Sequence, residues 1–250
     1  MNALVTGAGS GIGAAIATEL AARGYHVAVT DIDGEAAAHV AAELNTFHTA
    51  LDVTDLSSVG AAADAAEAAL GPLSVWVCSA GVSSFHPFLD ISVGEWETTV
   101  AVNLKGVFLC GREAARRMVQ RHDGGVIVNI ASMAGKQGRV PWQAHYIASK
   151  FGVVGLTQAM AYDLAPFKIR VNSVCPGYVA TAMQEREVAW EAKLRNISED
   201  DVRRIYVNDT PLGRLESASD VARAVAFLVG PDATFLTGEA LAVNGGAFMD

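Results

Sequence analysis

Tyr146 and Lys150 stand four residues apart in Tyr146-Ile147-Ala148-Ser149-Lys150. On a helix that spacing puts a phenol and an ammonium side by side on one face. A phenol with its ordinary pKa of about 10 is a poor base at neutral pH. A unit charge about 4 Å away, at an effective dielectric near 20, contributes on the order of 4 kcal/mol. That is roughly three pKa units, so the spacing predicts a tyrosine able to exchange a proton near neutrality. The same pair is common on ordinary helix surfaces, and spacing alone does not separate the two cases. Ser132 changes the balance. It closes the apolar run Val128-Asn129-Ile130-Ala131-Ser132, a strand end of the kind where open α/β sheets place their sites. Tyr146 opens the next helical stretch, so the two hydroxyls can converge. Asn103, in Val102-Asn103-Leu104-Lys105-Gly106, puts a polar group on a stretch otherwise suited to packing. Alone it reads as a helix-kinking or surface amide.

A second signal lies at the start of the chain. Thr6-Gly7-Ala8-Gly9-Ser10-Gly11-Ile12-Gly13 follows a first apolar strand and opens a first helix. Glycines there let the backbone turn sharply and approach a pyrophosphate, which helix N-terminal amides then bind. A glycine-rich stretch by itself is a tight turn. Its place at a strand-to-helix junction, with Asp31 at the end of the next strand, points to a dinucleotide. A carboxylate at that position accepts from an adenosine ribose hydroxyl and repels a 2′-phosphate. Ser10 stands where an arginine or lysine would be expected to grip such a phosphate. The expected cofactor is therefore NAD and not NADP, although Asp31 could also serve only the turn with Asp33 and Gly34.

The elements that must position these groups alternate along the chain. Short apolar runs at 3–5, 27–30, 46–51, 75–78, 126–130, 170–175 and 239–243 read as strands. Ala-rich amphipathic runs at 12–23, 34–44, 56–70, 94–121, 145–164 and 218–229 read as helices, with 94–121 as one long helix. Strands apolar on both faces, alternating with helices, predict an α/β fold. The expected form is a single-domain, doubly wound parallel seven-stranded sheet with helices on both faces, a Rossmann fold. The stretch 178–209 breaks the rhythm. It is polar, helix-like and without a strand, and reads as a lid over the ligand-binding end of the sheet.

Composition narrows the function classes. The 250 residues carry a formal charge of −9, which opposes an electrostatic surface for nucleic acid or anionic membrane. No apolar run nears the roughly 18 residues of a spanning helix. The first ten residues lack a charged leader and cleavage site. Cys78, Cys110 and Cys175 are odd in number and far apart, which fits reduced buried thiols in a cytoplasmic protein and offers no metal site.

Taken together, these motifs resemble the short-chain dehydrogenase/reductase family, in the NAD(P)-dependent form of about this length. The matching residues are Gly7, Gly11 and Gly13 after Thr6, Asp52-Val53, Ala80-Gly81, Asn103, Ser132, Tyr146 with Lys150, Pro176-Gly177 with Thr181, and Asn244-Gly245-Gly246. They span nearly the whole chain in the family's order. The resemblance implies Tyr146 as general acid/base and Ser132 as the group orienting the substrate oxygen. It implies Lys150 on the nicotinamide ribose, depressing the tyrosine pKa, and Asn103 holding a relay water. The implied cofactor contacts are Gly7, Gly9, Ser10, Gly11, Ile12, Gly13, Asp31, Ile32, Asp52, Val53, Ser79, Ala80 and Gly81, then Asn103, Tyr146, Lys150, Pro176, Gly177, Val179 and Thr181. One departure is visible. Cys78-Ser79 replaces the family's usual pair of asparagines, so a local rearrangement without loss of chemistry is expected there.

The implied reaction is reversible hydride transfer between NAD(H) and a secondary alcohol or ketone. Ser132, Trp142, Gln143, Tyr146 and Met183 are the expected substrate contacts, with His86, Met133, His145 and Trp190 as further lining candidates. The lid resembles those of polyol, acetoin and hydroxybutyrate dehydrogenases, which makes a polyol or sugar alcohol the first expectation. A 3-oxoacyl-(carrier protein) reductase is the alternative, opposed by Asp31 and by the acidic balance. A sugar-nucleotide epimerase would need a further substrate domain. A noncatalytic NAD-sensing regulator would be favoured by a missing tyrosine, lysine or serine, and all three are present. The family also implies a homotetramer, for which apolar residues on several faces of 100–118 and 151–160 provide a motive.

Overall fold

Neighbouring residues of the first strand, β1 (Asn2–Thr6), enter different cores: Leu4 one, Ala3 and Val5 the other. The same alternation recurs along β2 (His26–Asp31), β4 (Leu73–Cys78), β5 (Gly125–Ile130) and β6 (Ile169–Pro176). This is why each strand reads as an unbroken apolar run. In the computed structural model, which describes residues 1–249, these strands join β3 (His48–Ala50) and β7 (Ala240–Val243) in one sheet. Its order is β3-β2-β1-β4-β5-β6-β7, every pairing is parallel, and seven strands match the seven expected. The helices α1 (Gly11–Ala22), α2 (Gly34–Leu44) and α9 (Ala218–Val229) cover one face. On the other lie α3 (Leu56–Leu70), α5 (Gly106–Arg121) and α6 (Ala144–Leu164). Strand order reverses between β1 and β4, so a crevice opens beyond their carboxyl ends.

Two local departures from the sequence-based expectation follow from tertiary contacts. The segment expected as one helix over 94–121 is divided. A π-turn at Ala101–Lys105 separates α4 (Val93–Val100) from α5, with Gly106 N–H donating to the Ala101 carbonyl. The extra residue turns Asn103 inward, where it is fully buried. The third strand starts later than expected because the Thr46 amide donates to the Ala41 carbonyl of α2 at 3.0 Å, and only its hydroxyl reaches β2, donating to the Val27 carbonyl at 2.5 Å.

The stretch 178–209 contains two helices, α7 (Ala182–Arg195) and α8 (Glu199–Asn208). Thr181 caps the first, and a reciprocal Ser198–Asp201 capping box starts the second. Val188, Ala192, Val202 and Tyr206 form a small core of their own, with the Tyr178 and Tyr206 rings stacked at 4.2 Å.

Candidate active site

The glycine loop rises from the end of β1 into α1, and two of its glycines are fixed by sterics. Gly7 has φ +64°, and a Cβ there would lie 2.7 Å from the Ala80 Cα. A Cβ on Gly13 would lie 2.1 Å from the Gly7 carbonyl oxygen. The loop therefore packs directly against its own helix and against the segment after β4. Ser10 precedes α1 without capping it through its side chain, which leaves helix amides available to an anion. The Thr6 hydroxyl accepts from the Ser79 and Ala80 amides at 3.0 and 3.2 Å. Here, then, a threonine ties the two central strands together at the position where the sequence lacks asparagines. Cys78 turns away into the core, and its hydrogen bond with Cys110, with burial, raises its thiol pKa.

Asp31, at the end of β2, accepts from Gly9 N–H at 2.9 Å through one oxygen. Its other oxygen accepts from Asp33 N–H at 3.0 Å. Asp52 is held by Thr54, whose amide and hydroxyl donate to it at 2.8 and 2.7 Å. The loop, Asp31, Ile32, Asp52, Val53, Ser79, Ala80 and Gly81 line one side of a cavity of about 550 Å³. Pro176, Gly177, Val179 and Thr181 line the same cavity. Gly9 is absent from its lining, since its amide faces Asp31. The glycine cradle, the uncapped amides and the terminal carboxylate together fit a dinucleotide.

Ser132, Tyr146 and Lys150 face the same cavity. Ser132 follows β5 and accepts from Ala134 N–H at 3.1 Å, while its hydroxyl is hydrogen-bonded to that of Tyr146. Lys150 Nζ donates to the Ile130 carbonyl at 2.9 Å and lies 5.5 Å from the Tyr146 ring centroid. The ammonium thus addresses a backbone carbonyl and the ring beside it. Burial lowers its pKa to about 8. Burial, followed by the Glu187 charge, raises the Tyr146 phenol above its ordinary value, against the lowering effect of Ser132. At the phenol, burial thus outweighs the Ser132 bond.

A family model described as short chain dehydrogenase matches residues 1–192. The chain belongs to this family. It is an oxidoreductase of CH–OH groups working with a nicotinamide cofactor. It is 39% identical to a (3R)-3-hydroxyacyl-CoA dehydrogenase of Mus musculus, over 99% of this chain and 96% of that one. Sorbitol-6-phosphate 2-dehydrogenase from Erwinia amylovora shares 34% identity, with a TM-score of 0.95 over 99% of this chain and 100% of the other. A 3-ketoacyl-(acyl-carrier-protein) reductase from Brucella melitensis, complexed with NADH, shares 32% identity. Its TM-score is 0.89, covering 99% of this chain and 98% of that one.

Several side chains of the dehydrogenase lie elsewhere than its sequence suggested. Asn103 is buried outside the cavity lining. Its Oδ1 accepts from Val82 N–H at 2.8 Å, and its Nδ2 donates to the Val82 carbonyl and to Ser149 Oγ. Its side chain therefore braces the segment after β4 through Val82. Trp142 has φ +61° and is half-buried, its ring 5.0 Å from the guanidinium of Arg195, which itself lines the cavity. Trp142 is not a cavity-lining residue, whereas Gln143, Met133 and Met183 are. His86 pairs with Glu95 at 2.6 Å, His145 meets Ser84 at 2.9 Å, and Trp190 packs against Phe85. None of these three lines the cavity.

Sequence reasoning missed Glu187, which lines the same cavity as Tyr146 and acts on its phenol through charge. Helical spacing from Met183 would have found it. It also missed Glu216. One Glu216 oxygen accepts from Gly177 N–H at 2.7 Å, and its backbone pairs with Tyr178 and Ala180. Burial raises its carboxyl pKa to about 7. The folded state binds this proton more tightly than the unfolded chain does. Its contribution to stability is complete below the ordinary carboxyl range and disappears as pH rises through about 7. Glu216→Gln keeps an acceptor for Gly177 and removes the charge. The variant should melt a few degrees higher than wild type at about pH 8, with the gain shrinking toward about pH 5. An equal difference at both pH values would assign the effect to packing.

Proposed function

We propose that this dehydrogenase catalyses reversible, NAD-dependent oxidation of a secondary alcohol, with a polyol or sugar alcohol as substrate. The observation that carries the reading is the hydrogen-bonded Ser132–Tyr146 pair opening into the cavity that also contains the glycine loop and Asp31. When bound, the nicotinamide supplies the hydride acceptor. Ser132 holds the carbinol oxygen; as the phenolate, Tyr146 takes the carbinol proton when the C–H hydride leaves, and as the phenol it returns that proton in ketone reduction. Lys150 holds the nicotinamide ribose and Asp31 the adenosine ribose. The α7–α8 pair serves as the substrate lid. Gln143, Ser132 and Glu187 give the substrate side many hydrogen-bonding groups, which suits a polyhydroxy chain.

The second reading is a 3-hydroxyacyl thioester, favoured by the mouse relative and by Arg139 and Arg186 at the same cavity. A screen of polyols, diols, hydroxy acids and 3-hydroxyacyl thioesters for NADH formation decides between them. Turnover confined to thioesters would overturn the polyol assignment.

We further propose a homotetramer in the cytoplasm, a compartment that suits the buried side chains of Cys78, Cys110 and Cys175. The motive for assembly is the partly exposed Phe108 and Phe151 on α5 and α6. Sedimentation at micromolar concentration should show a species of four chains. A sole 26.1 kDa species would exclude it. Among the described residues no helix is long and apolar enough to cross a membrane, and no cluster suits a metal.

A further inference from the structure

Met183, Glu187 and Glu191 follow one another at four-residue intervals along α7, and all three line the cavity. The two carboxylates are differently employed. Glu191 is satisfied by its own surroundings: Arg195 Nε donates to it at 2.6 Å and the Tyr206 hydroxyl at 2.5 Å. Glu187 has neutral partners, the Gln143 amide at 3.4 Å and the Ser83 hydroxyl. Gln143 gives its shorter bond, 2.9 Å, to Ser83. Arg186 acts on Glu187 only as a charge at a distance.

A carboxylate has about four acceptor positions. Two neutral donors leave Glu187 with capacity to spare in the cavity it shares with Ser132 and Tyr146, and its charge acts on the Tyr146 phenol. Closing the cavity over such a group is costly unless the substrate brings a donor. An alkyl or thioester segment brings none, and a carboxylate or phosphate brings repulsion. A hydroxyl satisfies it with a charge-assisted bond. We infer that Glu187 selects a hydroxyl on the carbon next to the reacting carbinol, so that the substrate is a vicinal polyhydroxy compound. This inference rests on the polyol reading above and narrows it.

The test compares 2,3-butanediol with 2-butanol, each oxidised with NAD by wild type, Glu187→Ala and Glu187→Gln. The measured quantity is the ratio of kcat/KM for diol over monoalcohol. In wild type it should exceed about tenfold, and in Glu187→Ala it should fall by about tenfold or more. Glu187→Gln, close in shape and still an acceptor, should retain a larger part of the ratio. Its folding is checked by an unchanged NAD affinity. General damage to the active site lowers both alcohols together and leaves the ratio in place. An unchanged ratio in Glu187→Ala, with wild type active on diols, overturns the role of Glu187 and spares the polyol reading. Wild type inactive on every diol and polyol, yet active on a 3-hydroxyacyl thioester, overturns the polyol reading and this inference with it.

Discussion

Tyr146→Phe should lower turnover at least about a hundredfold, the scale of a lost general acid–base group. The substitution removes one oxygen and leaves the ring that faces the Lys150 ammonium at 5.5 Å. Lys150 keeps its bond to the Ile130 carbonyl, and the glycine loop and Asp31 are on other elements. Cofactor affinity and melting temperature should therefore change little. Ser132 remains able to hold the substrate oxygen but loses its hydroxyl partner. With no phenolate to receive it in oxidation, and no phenol to supply it in reduction, the carbinol proton must be exchanged with solvent from a buried site. The phenol's raised pKa, caused first by burial and then by Glu187, keeps it protonated at neutral pH before substrate and cofactor arrive. Single-turnover rates of NADH formation, with NAD affinity measured separately, test the assignment. Near-normal turnover in a variant that binds NAD would move the proton-transfer role to another group.

The fold was readable because the strands bury both faces. Leu4 and its neighbours Ala3 and Val5 serve opposite cores, so the run between polar helices is short and uniformly apolar. The glycine loop, Ser132 and Tyr146 were readable for a related reason. Each is a local motif at a strand end or helix start, where chain order fixes position. What escaped depends on contacts between distant segments. The π-turn exists with an Asn103 side chain bonded to Val82, a pairing invisible in the periodicity of 94–121. The Lys150 charge could be counted but not aimed, because the Ile130 carbonyl decides where it points. Trp142 takes a positive φ that no residue preference announces. Glu216 reaches Gly177 across a separation of 39 residues. Such residues set the electrostatics of the site, while the motifs set its place.

Asp31 should set the choice between NAD and NADP by a thousandfold or more. Its carboxylate lines the cavity while already accepting the Gly9 and Asp33 amides at 2.9 and 3.0 Å. Those bonds fix its position, and the remaining acceptor capacity suits ribose hydroxyls. A 2′-phosphate there would bring nearly two negative charges within a few ångströms. At an effective dielectric near 20 the repulsion is several kcal/mol, and each 1.36 kcal/mol is about tenfold in rate. Ile32 is exposed and lines the same cavity, so an arginine fits there without disturbing a core. The double variant Asp31→Ser, Ile32→Arg removes the repulsion and supplies a charge-assisted partner. Its kcat/KM should rise with NADP and fall with NAD. The two amide bonds offer a competing account, in which Asp31 only braces the loop and the turn. That account predicts equal damage with both cofactors, because the glycine loop serves each of them alike. Measuring both cofactors on both proteins separates the two, and a wild type that already prefers NADP would overturn the assignment of NAD.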